Sequence, residues 1–250
     1  MTPIKTSLRP AASAALALLL SAACAGAASG AGGPAAGPTT GSTGGGTSAA
    51  GRANPDSIAA ALQRATVPAS PRQVRFNWSL DEAGARFSGS GVGRYHAPDR
   101  FRLDLFGPRG ETYLAAALVG EEARIPPGIS ERFVLPSPAL LWAAIGVVRP
   151  PAGARLASAT AEGDQVSVRY DIGAAGTLEY RARAGRLTSV RRLRGGGVQE
   201  TVDLEHNDAG VRSARYREWN ALRNLNLTLE SSTDVAAFPE DAWTPPGTDR

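Results

Sequence analysis

Cysteine, methionine and histidine are almost absent from this chain of 250 residues. It has one cysteine, Cys24, one methionine and two histidines, His96 and His206. A single cysteine excludes a disulfide framework. Two histidines without spaced cysteines do not supply the three or four ligands of a zinc site. The sequence therefore predicts neither a bound metal nor a cofactor.

Catalytic motifs and long apolar runs are also missing. No Gly-x-Ser-x-Gly nucleophile elbow occurs. Carboxylate pairs such as Glu121-Glu122 and Glu240-Asp241 stand in polar, turn-like stretches, which indicates solvated side chains. The longest apolar run lies near the N-terminus and is shorter than the about 20 residues of a spanning helix, which excludes a polytopic membrane protein. We therefore predict a protein that is not an enzyme.

Residues 1–23 have the pattern of an export signal. Lys5 and Arg9 precede an apolar stretch of small residues that runs to Ala23 and contains no acid. This is the charged region and short apolar region of a secretory signal. The stretch ends in Leu20-Ser21-Ala22-Ala23-Cys24, which resembles the lipobox of bacterial lipoproteins and predicts cleavage before Cys24 and lipidation of that residue.

One feature of this segment is less typical. Bacterial lipoproteins prefer leucine at the place of Ser21, so the resemblance to the lipobox is imperfect. The alternative is ordinary signal cleavage, after Ala23 or Ala25, with Cys24 incidental. An unpaired thiol in an exported protein has no bridge partner, and this favours lipidation.

Residues 24–53 are predicted as the lipid-anchored cysteine followed by a flexible linker. Positions 25–51 contain only alanine, glycine, serine, threonine and proline, which cannot bury enough apolar surface to order the chain. A coil of this length spans roughly 30 Å. Ala25, rather than aspartate, follows the cysteine, and by resemblance to lipoproteins of diderm bacteria this favours the outer membrane, facing the periplasm. An exported protein meets no nucleic acid.

Residues 54–250 are predicted as one domain that begins with a helix and continues mainly as strands. Asn54 and Pro55 are a capping residue and a first helical residue, and Pro68 marks the end of the helix. Period-two alternation then predicts about eleven short antiparallel strands with one apolar face each. Clear examples of the apolar positions are Val74, Phe76, Trp78 and Leu80; Phe101, Leu103 and Leu105; Val166, Val168 and Tyr170; and Leu225, Leu227 and Leu229.

Two segments indicate a curved sheet with a cover. Gly89, Gly91 and Gly93 share one strand face, which suggests tight curvature or close approach of another element. The segment from Pro136 to Val147 has no charged residue, with Ser137 as a capping residue and Gly146 as a stop, so it predicts a second helix that is apolar on all sides. Either this helix is a plain core helix, or one side of it faces a lipid-like ligand.

At this point the chain resembles the LolA/LolB superfamily of bacterial lipoprotein carriers and acceptors. The segment Arg100 to Thr112 is similar to a LolB strand with a Pro-Leu-Gly turn, and Pro136 to Val147 is similar to its Pro-rich helix with a tryptophan. The resemblance implies a curved, open antiparallel half-barrel, with helices covering the apolar cavity on its concave face. It also implies acyl chains of lipoproteins or lipids as ligands, and a periplasmic carrier protein as a partner.

One position departs from the resemblance. LolB has a projecting leucine in its turn, which serves to place lipoproteins in the membrane, and here that position is Arg109. Arginine contacts head groups but enters hydrocarbon poorly. We therefore expect a turn that faces the membrane, formed by Gly107, Pro108, Arg109 and Gly110. The resemblance implies the fold and the cavity more strongly than the placing of lipoproteins in the membrane.

The predicted function is acyl-chain binding by a membrane-anchored lipoprotein. The alternative is an envelope scaffold or sensor of the same fold, whose cavity is filled by its own side chains. A large open cavity favours the first and a plugged cavity favours the second. The predicted cavity lining consists of Val74, Phe76, Trp78, Phe87, Leu103, Leu105, Leu114, Leu141, Trp142, Ile145 and Val168.

Arginines are concentrated between Arg181 and Arg194, on a predicted hairpin. The simplest interpretation is a solvated outer face of the sheet. The alternative is contact with anionic lipid head groups, since clustered cations are attracted to the surface charge of a membrane.

Overall fold

The computed structural model describes residues 54–128 and 135–248. The predicted signal, the lipid attachment at Cys24 and the linker lie outside the described residues. Within them, no helix is both long enough and apolar enough to cross a membrane.

Helix α1 spans Pro55–Thr66, as predicted. The Oδ1 atom of Asn54 accepts a hydrogen bond of 3.0 Å from the backbone N–H of Asp56 and so caps the first turn. Pro55 occupies the first helical position, where its missing N–H costs nothing. The helix ends at Val67, immediately before Pro68, because a residue that precedes proline is disfavoured in the helical region.

In the described residues, twelve strands form a single open antiparallel sheet, which confirms the predicted half-barrel class of about eleven strands. One of them, β5, has three residues, too few for alternation to show. The strands are β1 (Arg72–Glu82), β2 (Ala85–His96), β3 (Arg100–Phe106), β4 (Thr112–Val119), β5 (Glu122–Arg124), β6 (Arg155–Glu162), β7 (Gln165–Asp171), β8 (Thr177–Arg183), β9 (Arg186–Arg194), β10 (Gly197–Asn207), β11 (Gly210–Glu218) and β12 (Arg223–Asp234). Their order is β5-β4-β3-β2-β1-β12-β11-β10-β9-β8-β7-β6, so β5 and β6 are the two edges.

The glycines of β2 make room for the large side chains of β1. Gly89, Gly91 and Gly93 pair with Trp78, Phe76 and Val74 of β1, respectively. A Cβ atom at Gly91 would lie 2.3 Å from Cε2 of Phe76. The Nε1 of Trp78 crosses β2 to donate hydrogen bonds to the carbonyls of Ser90 (2.9 Å) and Phe106 (3.2 Å). The predicted close approach is therefore that of β1 side chains lying across β2.

Helix α2 lies between the two halves of the sheet. It spans Pro138–Ala144, which is shorter than predicted, because the chain turns to a positive φ of 85° at Gly146. Ser137 precedes the helix, but its side chain makes no capping hydrogen bond, contrary to the prediction. Ala139, Leu140 and Ala143 pack with α1 and strands β6–β11, whereas Leu141 and Trp142 pack with β1–β4. The helix is apolar all round because its opposite sides contact different halves of the core.

The C-terminal segment covers the outer face of β3 and β4. A short 3-10 helix, Glu240–Trp243, buries Trp243 there. Arg102 donates a hydrogen bond of 2.9 Å to the carbonyl of Ala242. Strand β4 is therefore buried on both faces, which explains the unbroken apolar run from Leu114 to Leu118.

Candidate functional site

An apolar cleft lies between α2 and the strands β1, β3, β4, β11 and β12. It contains two small cavities, of about 60 and about 40 Å³. Leu103, Leu105, Leu141 and Leu225 line both cavities, so the two belong to one cleft. The walls are almost entirely hydrocarbon, and a ligand held there would therefore be apolar.

Most of the predicted lining residues lie on the walls of this cleft. They are Val74, Phe76, Trp78, Leu103, Leu105, Leu114, Leu141 and Ile145. These residues face the same side of the sheet because successive residues of β1, β3 and β4 point to opposite faces, and α2 covers that side.

The structure places the other three predicted lining residues elsewhere. Phe87 is 38% exposed near the start of β2, with its ring 5.8 Å from that of Tyr113. Trp142 is fully buried on the side of α2 that faces Tyr95 and Phe101. Val168 belongs to the core of the other sheet half, beneath α1. For Val168, the alternation identified the inward face but not the half of the sheet to which the side chain belongs.

Three leucines of β12 are the most prominent wall residues that the predicted lining omits. Leu225, Leu227 and Leu229 pair with Leu80, Trp78 and Phe76 and share their concave face. All three are only partly buried, although β12 lies in the middle of the sheet. Their alternation with Asn224, Asn226 and Thr228 was the available signal.

The cleft is too small, as it stands, for an acyl chain. A cavity of about 150 Å³ is needed for a ligand the size of benzene, and the two cavities measure about 60 and about 40 Å³. The expectation of a concave pocket large enough for an acyl chain is wrong for this conformation. Side chains of α2, above all Leu141, occupy the space between the strands.

A row of charged residues borders the cleft at one end of the sheet, which we call the cleft end. Here β1 finishes at Glu82 and β12 begins at Arg223, and these two side chains form an ion pair. Arg223 also contacts Glu218 at 2.9 Å. On the other side of Glu218, Glu200 pairs with Arg192. The apolar walls therefore give way to a charged rim at this end.

Tyr216 joins the rim to the apolar wall. Its hydroxyl donates a hydrogen bond of 2.6 Å to Glu200, and its ring lines both cavities. Burial, followed by the hydrogen bond to Glu200, raises the pKa of Tyr216. The hydroxyl therefore stays protonated and can donate at any physiological pH.

A larger cavity, of about 650 Å³, lies on the other side of α2. Its wall carries four carboxylates and two guanidinium groups: Glu121, Asp171, Glu200, Glu218, Arg155 and Arg192. The rest of its wall is largely apolar and includes Leu135, Ile172 and Leu178. The lining is therefore mixed, unlike the almost entirely hydrocarbon walls of the cleft.

The turn that was predicted to face a membrane is a tight, mostly exposed loop between β3 and β4. The backbone N–H of Gly107 donates to the carbonyl of Glu111 (2.8 Å), and that of Arg109 donates to Oε2 of Glu111 (2.9 Å). Pro108, Arg109 and Gly110 are exposed at its tip, whereas Gly107 is buried.

The arginines between Arg181 and Arg194 do not form one uniform surface. Arg181 lies on the outer face and contacts Glu179 at 2.5 Å, whereas Arg192 lies in the concave rim with Glu200. Arg183 pairs with Asp164 at the opposite end of the hairpin. Much of the positive charge is therefore neutralised within the protein, which favours the interpretation as ion-paired, solvated side chains.

The two histidines lie far apart in the chain, and each is on a strand. His96 is exposed at the end of β2, and His206 lies near the end of β10, where burial and then Arg186 lower its pKa. Among residues 54–128 and 135–248, no group of histidine, cysteine, aspartate or glutamate side chains is arranged to hold a metal ion.

Comparison with solved structures identifies the fold. A LolA superfamily protein from Nitrosomonas europaea superposes with a TM-score of 0.52 at 12% identity, over 76% of this chain and 96% of that protein. This chain shares the fold of that LolA superfamily protein. The sequence resemblance to this superfamily, with its curved half-barrel and covering helices, is thus confirmed at the level of fold.

Two further structures share less of the geometry. A putative outer membrane lipoprotein-sorting protein domain from Vibrio parahaemolyticus gives a TM-score of 0.49 at 10% identity, over 75% of this chain and 95% of that one. A DUF1329 family protein from Desulfovibrio piger gives 0.47 at 8% identity, over 75% and 94%. No protein-family model matches the sequence, and no curated protein matches it either.

Proposed function

We propose that this protein is a non-enzymatic lipoprotein of the cell envelope that binds acyl chains of a lipid or lipoprotein in the apolar cleft beneath α2. The observation that carries the proposal is that Leu225, Leu227 and Leu229 are only partly buried on the concave face of a central strand. Apolar side chains in the middle of a sheet are normally covered by the core. A ligand of hydrocarbon would cover these three.

Binding requires α2 to move away from the strands. Leu141 of α2 lines both cavities, so its displacement would enlarge the space between α2 and β12. Burying an acyl chain of about 14 methylenes is worth roughly 11 kcal/mol at about 0.8 kcal/mol per methylene. For an acyl chain that comes from water, this energy is available to displace α2 side chains from their contacts.

Under this proposal, transfer of an acyl chain between the cleft and a bilayer needs no nucleotide. The bilayer offers an acyl chain nearly the same transfer free energy as the cleft does. The cost of displacing α2 therefore shifts the exchange towards the bilayer, and a partner such as a periplasmic carrier can offset this cost by mass action. The predicted anchor at Cys24, in the outer membrane and facing the periplasm, would keep the domain near its lipid source.

The second candidate is an envelope scaffold or sensor that binds no lipid. It is favoured by the small cavity volumes and by the packing of α2 against both halves of the core. The two candidates differ in one property. In the first, an acyl chain at moderate concentration can displace the α2 side chains, and in the second it cannot.

A fluorescent fatty acid titrated into delipidated protein tests the proposal. Ala144 lies at the end of α2 on the wall of one cavity, so Ala144→Trp should fill the cleft and weaken binding of the fatty acid. Ala209→Trp, in the exposed turn between β10 and β11, is the matched control and should bind normally. If the unaltered protein does not bind the probe at micromolar concentration, the scaffold candidate is correct.

A further inference from the structure

Large exposed apolar side chains are concentrated at the cleft end of the sheet. The register of the strands puts the connections 83–84, 107–111, 172–176, 195–196 and 219–222 at this end. Among the described residues, the exposed large hydrophobic side chains here are Phe87, Val198, Trp219 and Leu222. Val67, beside α1, is the other one.

Val67 marks the opposite end of the sheet. It follows Thr66, whose hydroxyl accepts a hydrogen bond of 3.0 Å from the backbone N–H of Val148. The next residue, Arg149, donates to the carbonyl of Pro98 (2.8 Å) in the turn between β2 and β3. That turn lies at the end away from the cleft, because β2 runs from the cleft end at Ala85 to the opposite end at His96.

The turn between β11 and β12 projects the most exposed of these side chains. Leu222 is 77% exposed and Trp219 is 50% exposed. Leu222 has a positive φ of 50°, a conformation that a leucine rarely adopts and that glycine or asparagine would take more easily. A strained backbone that presents an apolar side chain to solvent suggests a role outside the folded core.

Neighbouring groups hold this turn in place. The backbone N–H of Trp219 donates to the carbonyl of Gln199 (3.0 Å), and the side-chain amide of Asn220 donates to the side chain of Gln199. The guanidinium of Arg217 lies over the Trp219 ring at 5.4 Å. The indole is therefore presented in a fixed orientation and loses little side-chain entropy when it meets a partner.

Exposed guanidinium groups lie at the cleft end, namely those of Arg109 and Arg194. The acid in the same turn as Arg109, Glu111, folds back onto the backbone N–H of that residue. The acids Glu82, Glu218 and Glu200 of this end are paired with Arg223 and Arg192. The two exposed guanidinium groups, which pair with no acid among the described residues, suit a surface of phosphate groups.

We propose that the turn from Trp219 to Leu222 inserts into the interfacial layer of a phospholipid bilayer and directs the cleft end of the sheet towards it. Tryptophan is favoured at the boundary between head groups and hydrocarbon, where its apolar ring and its N–H are both accommodated. Leu222 enters beside it, and Arg109 and Arg194 lie at the level of the phosphates. The inference stands on exposed turn residues, so it does not depend on whether the cleft accepts an acyl chain.

Tryptophan fluorescence offers a direct test because the four indoles differ in exposure. Trp78, Trp142 and Trp243 are 3%, 0% and 2% exposed, against 50% for Trp219. The full chain is reconstituted with vesicles of phosphatidylcholine that carries bromine on its acyl chains, which quenches an indole on contact. We expect quenching, together with a shift of the emission to shorter wavelength.

Three variants locate the contact. The Trp219→Phe variant should lose most of the quenching. The Leu222→Asp variant keeps all four indoles but should also lose most of the quenching, because an aspartate resists entry into hydrocarbon. Val67→Asp, a matched change of an exposed apolar residue at the opposite end, should keep it. Absence of quenching in the unaltered chain, or equal quenching in the chain with Leu222→Asp, overturns the inference.

The same data separate this inference from acyl binding in the cleft. Trp78 lines the cleft, so a brominated acyl chain that enters it quenches Trp78 whatever happens at the turn. Quenching that persists fully in Trp219→Phe therefore supports the cleft and overturns the membrane contact of the turn. Quenching that disappears in Trp219→Phe supports the turn and counts against acyl entry from these vesicles.

Discussion

The ring of Phe76 lies over Gly91 on the neighbouring strand, so that a Cβ atom at position 91 would be 2.3 Å from Cε2 and 2.4 Å from Cζ of the phenylalanine. Gly91 does not have a positive φ, so space rather than backbone conformation excludes a side chain there. The bulky residues of β1 can cover β2 only because β2 is nearly free of side chains on that face.

Gly91→Ala should therefore lower the free energy of unfolding by about 1–3 kcal/mol, the usual cost of overpacking a core. Phe76→Leu in the same chain should recover part of that loss, because it removes the ring atoms that clash. Ser90→Ala, on the exposed face of the same strand, is the control and should change stability by less than about 0.5 kcal/mol. Urea unfolding of the four chains measures these differences, and equal stability of Gly91→Ala and the unaltered protein would contradict the packing.

Glu179 should make the fold sensitive to acid. Its carboxylate is buried on the outer face between Arg169 (3.0 Å) and Arg181 (2.5 Å). Burial acts to raise the pKa of Glu179, but hydrogen bonds from the two arginines outweigh it and lower the pKa. A carboxyl with a lowered folded pKa stabilises the fold above its unfolded pKa of about 4.3, and this contribution is lost as the pH falls through the folded value.

Glu179→Gln should thus be less stable than the unaltered protein at neutral pH and should lose less stability on acidification from about pH 6 to about pH 3. Unfolding in urea at several pH values gives both curves. Glu162→Gln, at an exposed carboxylate, serves as the control and should run parallel to the unaltered protein. Parallel curves for Glu179→Gln would show that the ion pairs do not contribute.

Arg109→Leu should leave the free energy of unfolding within about 0.5 kcal/mol of the unaltered value, because the side chain is exposed at a turn tip. Only the backbone N–H of this residue is used, in the bond to Glu111, and leucine keeps that N–H. Thermal unfolding measures the effect. A fall of several degrees in Tm would mean that the arginine side chain is packed.

Cys24→Ser tests the predicted anchor. Cells that express the unaltered chain with an alkyne-bearing fatty acid should yield labelled, membrane-bound protein, because an acylated cysteine with two or three chains holds a protein firmly on a bilayer. The serine variant should be neither labelled nor sedimented with membranes. Persistent labelling of the variant would place the lipid on another residue.

The fold class followed from local patterns in the sequence. Period-two alternation depends only on successive residues pointing to opposite faces, so Val74, Phe76 and Trp78 could be assigned to one face without any knowledge of their neighbours. Asn54 and Pro55 likewise marked the start of α1, because a helix end is satisfied by residues adjacent in sequence. The glycines of β2 indicated that another element approaches this strand closely. The sequence did not show that the approaching group is the side chain of Phe76.

Tertiary structure alone decided what the concave face can hold. The volume of the cleft depends on how far Leu141 of α2 reaches between strands that are distant in sequence, and no local pattern encodes that distance. The tertiary structure also assigned Val168 to the other half of the core and left Leu227 partly exposed. The sequence by itself determined which residues face inward, because alternation is a local property of the backbone, whereas the long-range packing of α2 against both sheet halves determined which of them still border open space.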